Sequence, residues 1–294
     1  MFRKSLWPGS LCLALLLSVS GFAVAPSASP AQRGHSAVPN PLAAHLVKTG
    51  LFMFSGDTNS LVRLSASGVI VVDGQTPEHY DALRRHIRRV SELPIRLLIT
   101  TDHHQDHTAS NGRFLADGAQ ILAQNNVKQR LAPAGVDAGA AGLPTRTYDD
   151  HFSLTLGGVE VRLMHFGNAH TDGDSIVYFP DLKVVAVGDL LAGPPEPDYA
   201  AGGSLAGWGP VLGEVLKLDF DVVVPAKGPT VTRADLVAYK ARIETLVSRA
   251  RTLVKNGVPK ERLLVQLETA DLGWRLDWSE ARLDGLYAEL SGQQ

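Results

Sequence analysis

A chain of 294 residues, 45% hydrophobic and 20% charged, is long enough for one large or two small domains with a sizeable core, and it has no polar tract that would mark it as disordered. With 28 Lys and Arg against 30 Asp and Glu, a net charge of −2 and dispersed basic residues, nothing in it points to nucleic acid as a partner. No repeat with a period of about 20–50 residues is present, which excludes solenoids and propellers.

The N-terminus reads as a targeting segment. Arg3 and Lys4 precede the apolar run from Leu11 to Val19 and the small residues Gly21 to Ala25. Ala23 and Ala25 form an A-x-A cleavage site; Pro26 disfavours a cut directly after Ala25, so cuts after Ala23 or Ala31 are alternatives. The apolar run falls short of the roughly 20 residues that span a bilayer. Export to the periplasm or medium, with residues 1–25 as signal peptide and no stable membrane anchor, is therefore preferred over an anchored form. Cys12, the single cysteine, lies inside that run, so the mature chain would have neither disulfides nor thiolate ligands. Residues 26–41, rich in Ala, Ser and Pro, read as a flexible leader before a folded domain over 42–294.

In chain order, short strands are expected at Leu51–Phe54, Ser60–Leu64 and Val69–Val72, separated by turn residues. A helix follows over Pro77–Val90, with Thr76 as N-cap and Pro77 at the first helical position. Its apolar residues Tyr80, Leu83, Ile87 and Val90 recur at helical spacing, which leaves Arg84, Arg85, Arg88 and Arg89 on a solvated outer face. Next come a strand at Ile95–Ile99, a histidine-rich loop, a helix near Asn111–Ala116, a strand at Gln120–Ala123 and a helix near Asn126–Leu131. The Gly/Ala/Pro-rich stretch Ala132–Pro144 resembles a domain boundary, but histidine-rich features fall on both sides of it and favour one domain. Beyond it, strands are expected at His151–Leu156, Val159–Met164, Ser175–Phe179, Lys183–Val187 and Asp221–Val224. Helices are expected at Leu205–Lys217, Arg233–Lys255 and, with Trp274, Trp278 and Tyr287, Asp271–Glu289, the last either packing on the body or forming a dimer contact. Thr232 to Asp235 has the form of a reciprocal capping arrangement. Sheet and helix alternate in both halves, which suits a two-layered sheet core covered by helices.

Four strand ends carry groups able to bind or order a metal. They are Asp102-His103-His104-Gln105-Asp106-His107, Gly167 to Asp174 with His170, Gly188-Asp189, and Pro225-Ala226-Lys227-Gly228-Pro229. A catalytic zinc takes His, Asp or Glu ligands and keeps one position for water. It lowers the pKa of that water to about 7, and a second cation about 3.5–4 Å away can share it. Imidazoles and carboxylates on rigid strand ends suit that purpose.

These four stretches together resemble the metallo-β-lactamase superfamily, whose signature runs His-x-His-x-Asp-His, Gly-x-x-His-Thr-x-Gly-Asp, Gly-Asp and Pro-Gly-His-Gly-Pro. The resemblance extends from Thr58-Asn59-Ser60 and Val71-Val72-Asp73-Gly74 to the final Pro-x-x-Gly-Pro segment. It implies an α+β fold, the four-layer αββα sandwich, with the metal site at the edge between the sheets. It also implies that His104 and His170, with Asp102, bind a first metal, that Asp106 and His107 bind a second, and that Asp189 bridges them. His103 is expected to point away, His151 and His165 to serve packing or the surface, and Asp73 to order a ligand-bearing loop.

Two positions depart from the signature. Asp102 replaces the first histidine and Lys227 the last, and no histidine follows His170. An Asp102 carboxylate still binds Zn2+ through oxygen, and this harder ligand set also admits iron or manganese. Lys227 cannot ligate a metal while charged. Two readings stand: its ammonium sits between Asp106 and Asp189 in a mononuclear site and helps stabilise an oxyanion, or it points to solvent beside a decayed second site. The resemblance implies a hydrolase in which hydroxide on the metal, oriented by Asp106, attacks the carbonyl of a small-molecule ester, lactone, thioester or amide. The family name does not by itself imply a β-lactam. The alternative is an inactive member serving as a binding or accessory module. Substrate choice is expected to lie in the loops after Asp189, where Gly193-Pro194-Pro195-Glu196-Pro197-Asp198-Tyr199 and the Gly202-Gly203-Ser204 helix start border the cleft, with Tyr199 as a wall residue and Trp208 either wall or core.

Overall fold

The computed structural model describes residues 42–132 and 142–292. The segments read from sequence as a signal peptide (1–25) and a leader (26–41), and most of the Ala132–Pro144 loop, lie outside the described residues. One compact unit takes in all of the described residues.

The first sheet holds seven strands in sequence order: β1 (Ala43–Lys48), β2 (Leu51–Ser55), β3 (Asn59–Ser65), β4 (Gly68–Val72), β5 (Ile95–Ile99), β6 (Gln120–Gln124) and β7 (Arg146–Tyr148). The first four strands pair antiparallel, and β4 through β7 pair parallel. Their connections are α1 (Pro77–Val90), α2 (Gln105–Thr108), α3 (Asn111–Ala116) and α4 (Asn125–Leu131). The second sheet has six strands: β8 (His151–Leu156), β9 (Val159–Met164), β10 (Ile176–Phe179), β11 (Val184–Ala186), β12 (Val222–Val224) and β13 (Val231–Thr232). Helix α5 (Leu205–Val215) connects β11 to β12, the one parallel pair of that sheet. The chain ends in α6 (Arg233–Lys255), α7 (Lys260–Gln266) and α8 (Glu280–Ser291).

Three apolar layers follow from the patterning. Strands β4 and β5, Gly-Val-Ile-Val-Val and Ile-Arg-Leu-Leu-Ile, are apolar on both faces because both are covered. Ile70, Val72, Leu97 and Ile99 face the second sheet and meet Leu163, Val177, Phe179 and Val184. The opposite face of the first sheet (Val69, Val71, Leu98) packs on Leu83 and Ile87 of α1, leaving Arg85, Arg88 and Arg89 exposed. The outer face of the second sheet (Ile176, Val185, Val223) packs on Trp208 and Leu212 of α5 and on Leu236 and Ile243 of α6. The result is helix, sheet, sheet, helix: the αββα sandwich. Among the described residues no helix is long and apolar enough to cross a membrane.

Local signals mostly hold. The capping arrangement at Thr232 and Asp235 is present at the start of α6. Thr76 is the N-cap residue of α1 but caps nothing with its side chain; its hydroxyl donates to Asp57 Oδ2 at 2.6 Å instead. The Asp271–Glu289 helix is a larger correction. Residues Ala270–Leu272 form one 3-10 turn that Gly273 ends at φ 71°, and α8 starts only after Ser279, whose Oγ accepts from the Arg282 amide. Trp208 is core: it is fully buried and donates from Nε1 to Leu190 O.

Candidate metal centre

The strand ends converge. β5 delivers the Asp102–His107 loop, the β9–β10 connection His170, the end of β11 Asp189 and the end of β12 Lys227. Backbone hydrogen bonds join these loops: Ser175 N donates to Thr101 O at 2.7 Å, and Ala226 N to Gly188 O at 2.9 Å. Gly188 takes φ 55°, and a Cβ there would lie 2.9 Å from Thr101 Oγ1. Its lack of a side chain lets the Asp189 loop close against the histidine loop.

Asp102, His104, His170 and Asp189 each turn one ligating atom into a common space, all within 4.8 Å of one another. His104 Nδ1 is 3.2 Å from His170 Nε2 and 3.3 Å from Asp102 Oδ1. His170 Nε2 is 3.3 Å from Asp189 Oδ2. A second group of Asp106, His107 and Asp189 satisfies the same proximity, so Asp189 belongs to both. His107 Nε2 lies 3.8 Å from Asp106 Oδ1 and 3.6 Å from Asp189 Oδ2.

The cluster fits a metal on a direct structural criterion. His107 Nε2 and Asp189 Oδ1 are buried without a hydrogen-bond partner among the described residues. An orphaned buried polar atom is costly, and such atoms call for an ion or water. The outer edges of the imidazoles are, by contrast, fully engaged, as ligating histidines require. His107 Nδ1 faces Asp73 Oδ2 at 3.0 Å, His170 Nδ1 faces Glu196 O at 2.8 Å and His104 Nε2 faces Asp198 Oδ2 at 3.2 Å.

Electrostatics point the same way. Burial pushes the Asp189 and Asp102 carboxyls up, but the surrounding imidazoles outweigh it and hold both well below the usual carboxylate range. Burial opposes charge on His170 as well, yet Asp189, Asp102 and Asp174 raise it to about 9. His107 is likewise raised, against burial, by Asp102 and Asp73. Without a cation, protons on imidazoles balance the carboxylates; a divalent ion would displace them.

Lys227 points inward. Its Nζ lies 3.0 Å from Asp106 Oδ2 and 3.9 Å from Asp189 Oδ1, and those carboxylates raise its pKa against burial. Asn59 grips both sides of the residue, donating from Nδ2 to Pro225 O and Gly228 O at 2.8 Å each. Asp73 accepts from Thr101 N and Oγ1, each at 2.8 Å, and so orders the loop that carries the ligands. His103 stacks on His104, ring centroids 4.4 Å apart, outside the main group. His151 sits exposed on β8 against Phe166, and His165 pairs with Asp174 O. Tyr199 bonds Glu289 through its hydroxyl. A cavity of about 160 Å³ opens over the cluster, lined by His170, Asp189, Ala192, Pro194, Glu196 and Lys227.

A profile of the metallo-beta-lactamase superfamily matches residues 56–227, more than half of the chain and every strand end described above. The chain belongs to the metallo-beta-lactamase superfamily. Two curated relatives are similar to it. The alpha subunit of 2,4-dinitroanisole O-demethylase from Nocardioides sp. (strain JS1661) is 28% identical over 165 residues, 54% of this chain and 49% of that one. A linear primary-alkylsulfatase from Pseudomonas sp. (strain ATCC 19151) is 22% identical over 227 residues, 60% of this chain and 42% of that one. The chain thus spans about half the length of the curated relatives it matches. Among solved structures, a metallo-beta-lactamase from Pontibacter korlensis superposes with a TM-score of 0.61 at 16% identity, covering 69% of this chain and 99% of that one. The DIM-1 metallo-beta-lactamase gives 0.61 at 18%, covering 70% and 99%. At such identities the likeness is one of fold.

Within this metallo-beta-lactamase fold, sequence reasoning put Glu196 and Asp198 in a stretch bordering the cleft but missed that they orient imidazoles of the centre. They belong to no signature and act on imidazoles 26 and 94 positions away; the Pro-rich stretch around them was the only signal.

Proposed function

We propose that this superfamily member is a metal-dependent hydrolase with one divalent cation, Zn2+ by ligand preference, held by Asp102, His104, His170 and Asp189. Its substrate would be a small-molecule ester, lactone, thioester or amide. The observation that carries the mononuclear reading is the position of Lys227, whose ammonium pairs with both carboxylates of the second ligand group. An ammonium and a divalent cation about 4 Å apart repel by on the order of 8 kcal/mol at an effective dielectric of about 20. That repulsion opposes a second ion beside His107.

When bound, the cation lowers the pKa of water and polarises the scissile carbonyl. The protein's own groups do the rest. Asp106, partly exposed beside Lys227, orients the attacking water and accepts its proton. Lys227, 3.0 Å from that carboxylate, offers an N–H to the developing oxyanion. Pro194 and Glu196 border the space for the acyl group.

Metal quantification on purified protein tests the reading: one tightly bound equivalent per chain is expected, and two would refute it. It is paired with a screen of esters, lactones and β-lactams. An alkyl sulfate and 2,4-dinitroanisole belong in that screen because of the likeness to an alkylsulfatase and an O-demethylase subunit. Turnover of none of them by metal-loaded protein favours the alternative, a binding or accessory module. Export is proposed from the basic and apolar N-terminus; N-terminal sequencing of the mature protein after Ala23, Ala25 or Ala31 would support it.

A further inference from the structure

The C-terminal helix lies outside the stretch that carries the family match, yet it grips the segment that orients two imidazoles of the centre. That segment runs over 194–204. Its Glu196 O takes the outer nitrogen of His170, and its Asp198 Oδ2 takes that of His104. Asp198 N also donates to His170 O at 2.8 Å. With Nδ1 of His170 and Nε2 of His104 thus engaged as donors, the other two nitrogens are the ones that face inward.

Residues 278–289 hold the far side of the same segment. Trp278 Nε1 donates to Pro195 O and Arg282 Nε to Pro197 O, each at 3.1 Å. These two carbonyls flank Glu196, and the Arg282 guanidinium is 3.7 Å from the Glu196 carboxylate. Glu289 accepts from Tyr199 Oη at 2.8 Å, Ser204 Oγ at 2.5 Å and Ala206 N at 3.1 Å. Gly285 completes the contact, since a Cβ there would overlap the Tyr199 side chain.

We propose that α8, together with Trp278 just before it, is a positioning element of the metal centre. Trp278, Arg282 and Glu289 lock 194–204, and through it they set which nitrogens of His104 and His170 face the metal. This rests on the metal-centre reading above. Groups that orient ligating imidazoles commonly govern metal affinity by about 10–100-fold; here the helix governs those groups.

Gly285→Ala is the telling variant. Alanine is the better helix former, so a loss at the centre cannot come from a weakened helix. In the metal-free protein, the ring N–H protons of His104 Nε2 and His170 Nδ1 are expected to be protected from exchange in NMR spectra, and to lose that protection in Gly285→Ala and Glu289→Ala. The dissociation constant for Zn2+, measured by competition with a chelating dye, is expected to rise about tenfold or more in both. Arg282→Lys, which keeps a donor for Pro197 O, should retain more affinity than Arg282→Ala. If Glu289→Ala does not fold, Tyr199→Phe, which removes one hydroxyl, takes its place. Unchanged ring N–H protection together with Zn2+ affinity within twofold of the parent would overturn the proposal. A parent protein that binds no Zn2+ would instead defeat the metal reading, leaving the ring N–H protons to decide the role of the helix.

Discussion

Asp73 and Lys227 show how single side chains set the centre's chemistry without ligating it. Asp73 is buried at φ 60°, a left-handed conformation that Asp and Asn tolerate best. It accepts from Thr101 and faces His107 Nδ1. Asp73→Ala strands both partners in the interior, and a loss of about 3–5 kcal/mol in urea denaturation is expected; Asp73→Asn, which keeps an acceptor and the backbone preference, should lose less. Lys227→His exchanges the ammonium for an imidazole beside Asp106, His107 and Asp189. The expected result is a rise from one to two bound zinc ions per chain by elemental analysis. These residues were legible because the chemistry is local: four of the seven centre residues lie in the six-residue loop, and the other three, His170, Asp189 and Lys227, each close a strand-end motif. Glu196 and Asp198 were not, since only the folded chain brings a Pro-rich loop against imidazoles far away in sequence.

Elements separate stability from site chemistry. Leu83 of α1 is fully buried against the face of the first sheet that points away from the second sheet. Leu83→Ala should cost about 2–5 kcal/mol while leaving metal stoichiometry unchanged, as equilibrium denaturation and elemental analysis would show. Helices such as α1 and α6 read true from sequence because their start signals and apolar spacing agree. The C-terminal stretch misread because its aromatic residues satisfy tertiary contacts. Trp278 sits in an extended segment and donates to Pro195 O rather than extending a helix. The strand β1 escaped notice because its first four residues are exposed, with no alternation to mark it. Strand β7, at three residues, is too short to carry a pattern.

At the scale of the molecule, a two-layered sheet core covered by helices was legible from alternating strands and helices, and the αββα sandwich from the family resemblance, but the convergence of four loops depends on how two sheets stack. A cation held as proposed, by groups from both sheets, would stabilise the stack: at a free concentration 1,000 times its dissociation constant it would contribute about 4 kcal/mol. Removing metal with a chelator should therefore lower the calorimetric unfolding temperature, and restoring Zn2+ should recover it. The grip of Asn59 on Pro225 O and Gly228 O has a consequence of its own. A side chain on the first sheet fixes the backbone on either side of position 227, and it does so through carbonyls that every amino acid possesses. The position is thus a socket whose shape is independent of the residue plugged into it. A substitution there would swap a proton-bearing cation for a metal ligand while those two hydrogen bonds remain, so on the proposed reading the number of ions this scaffold holds turns on one residue.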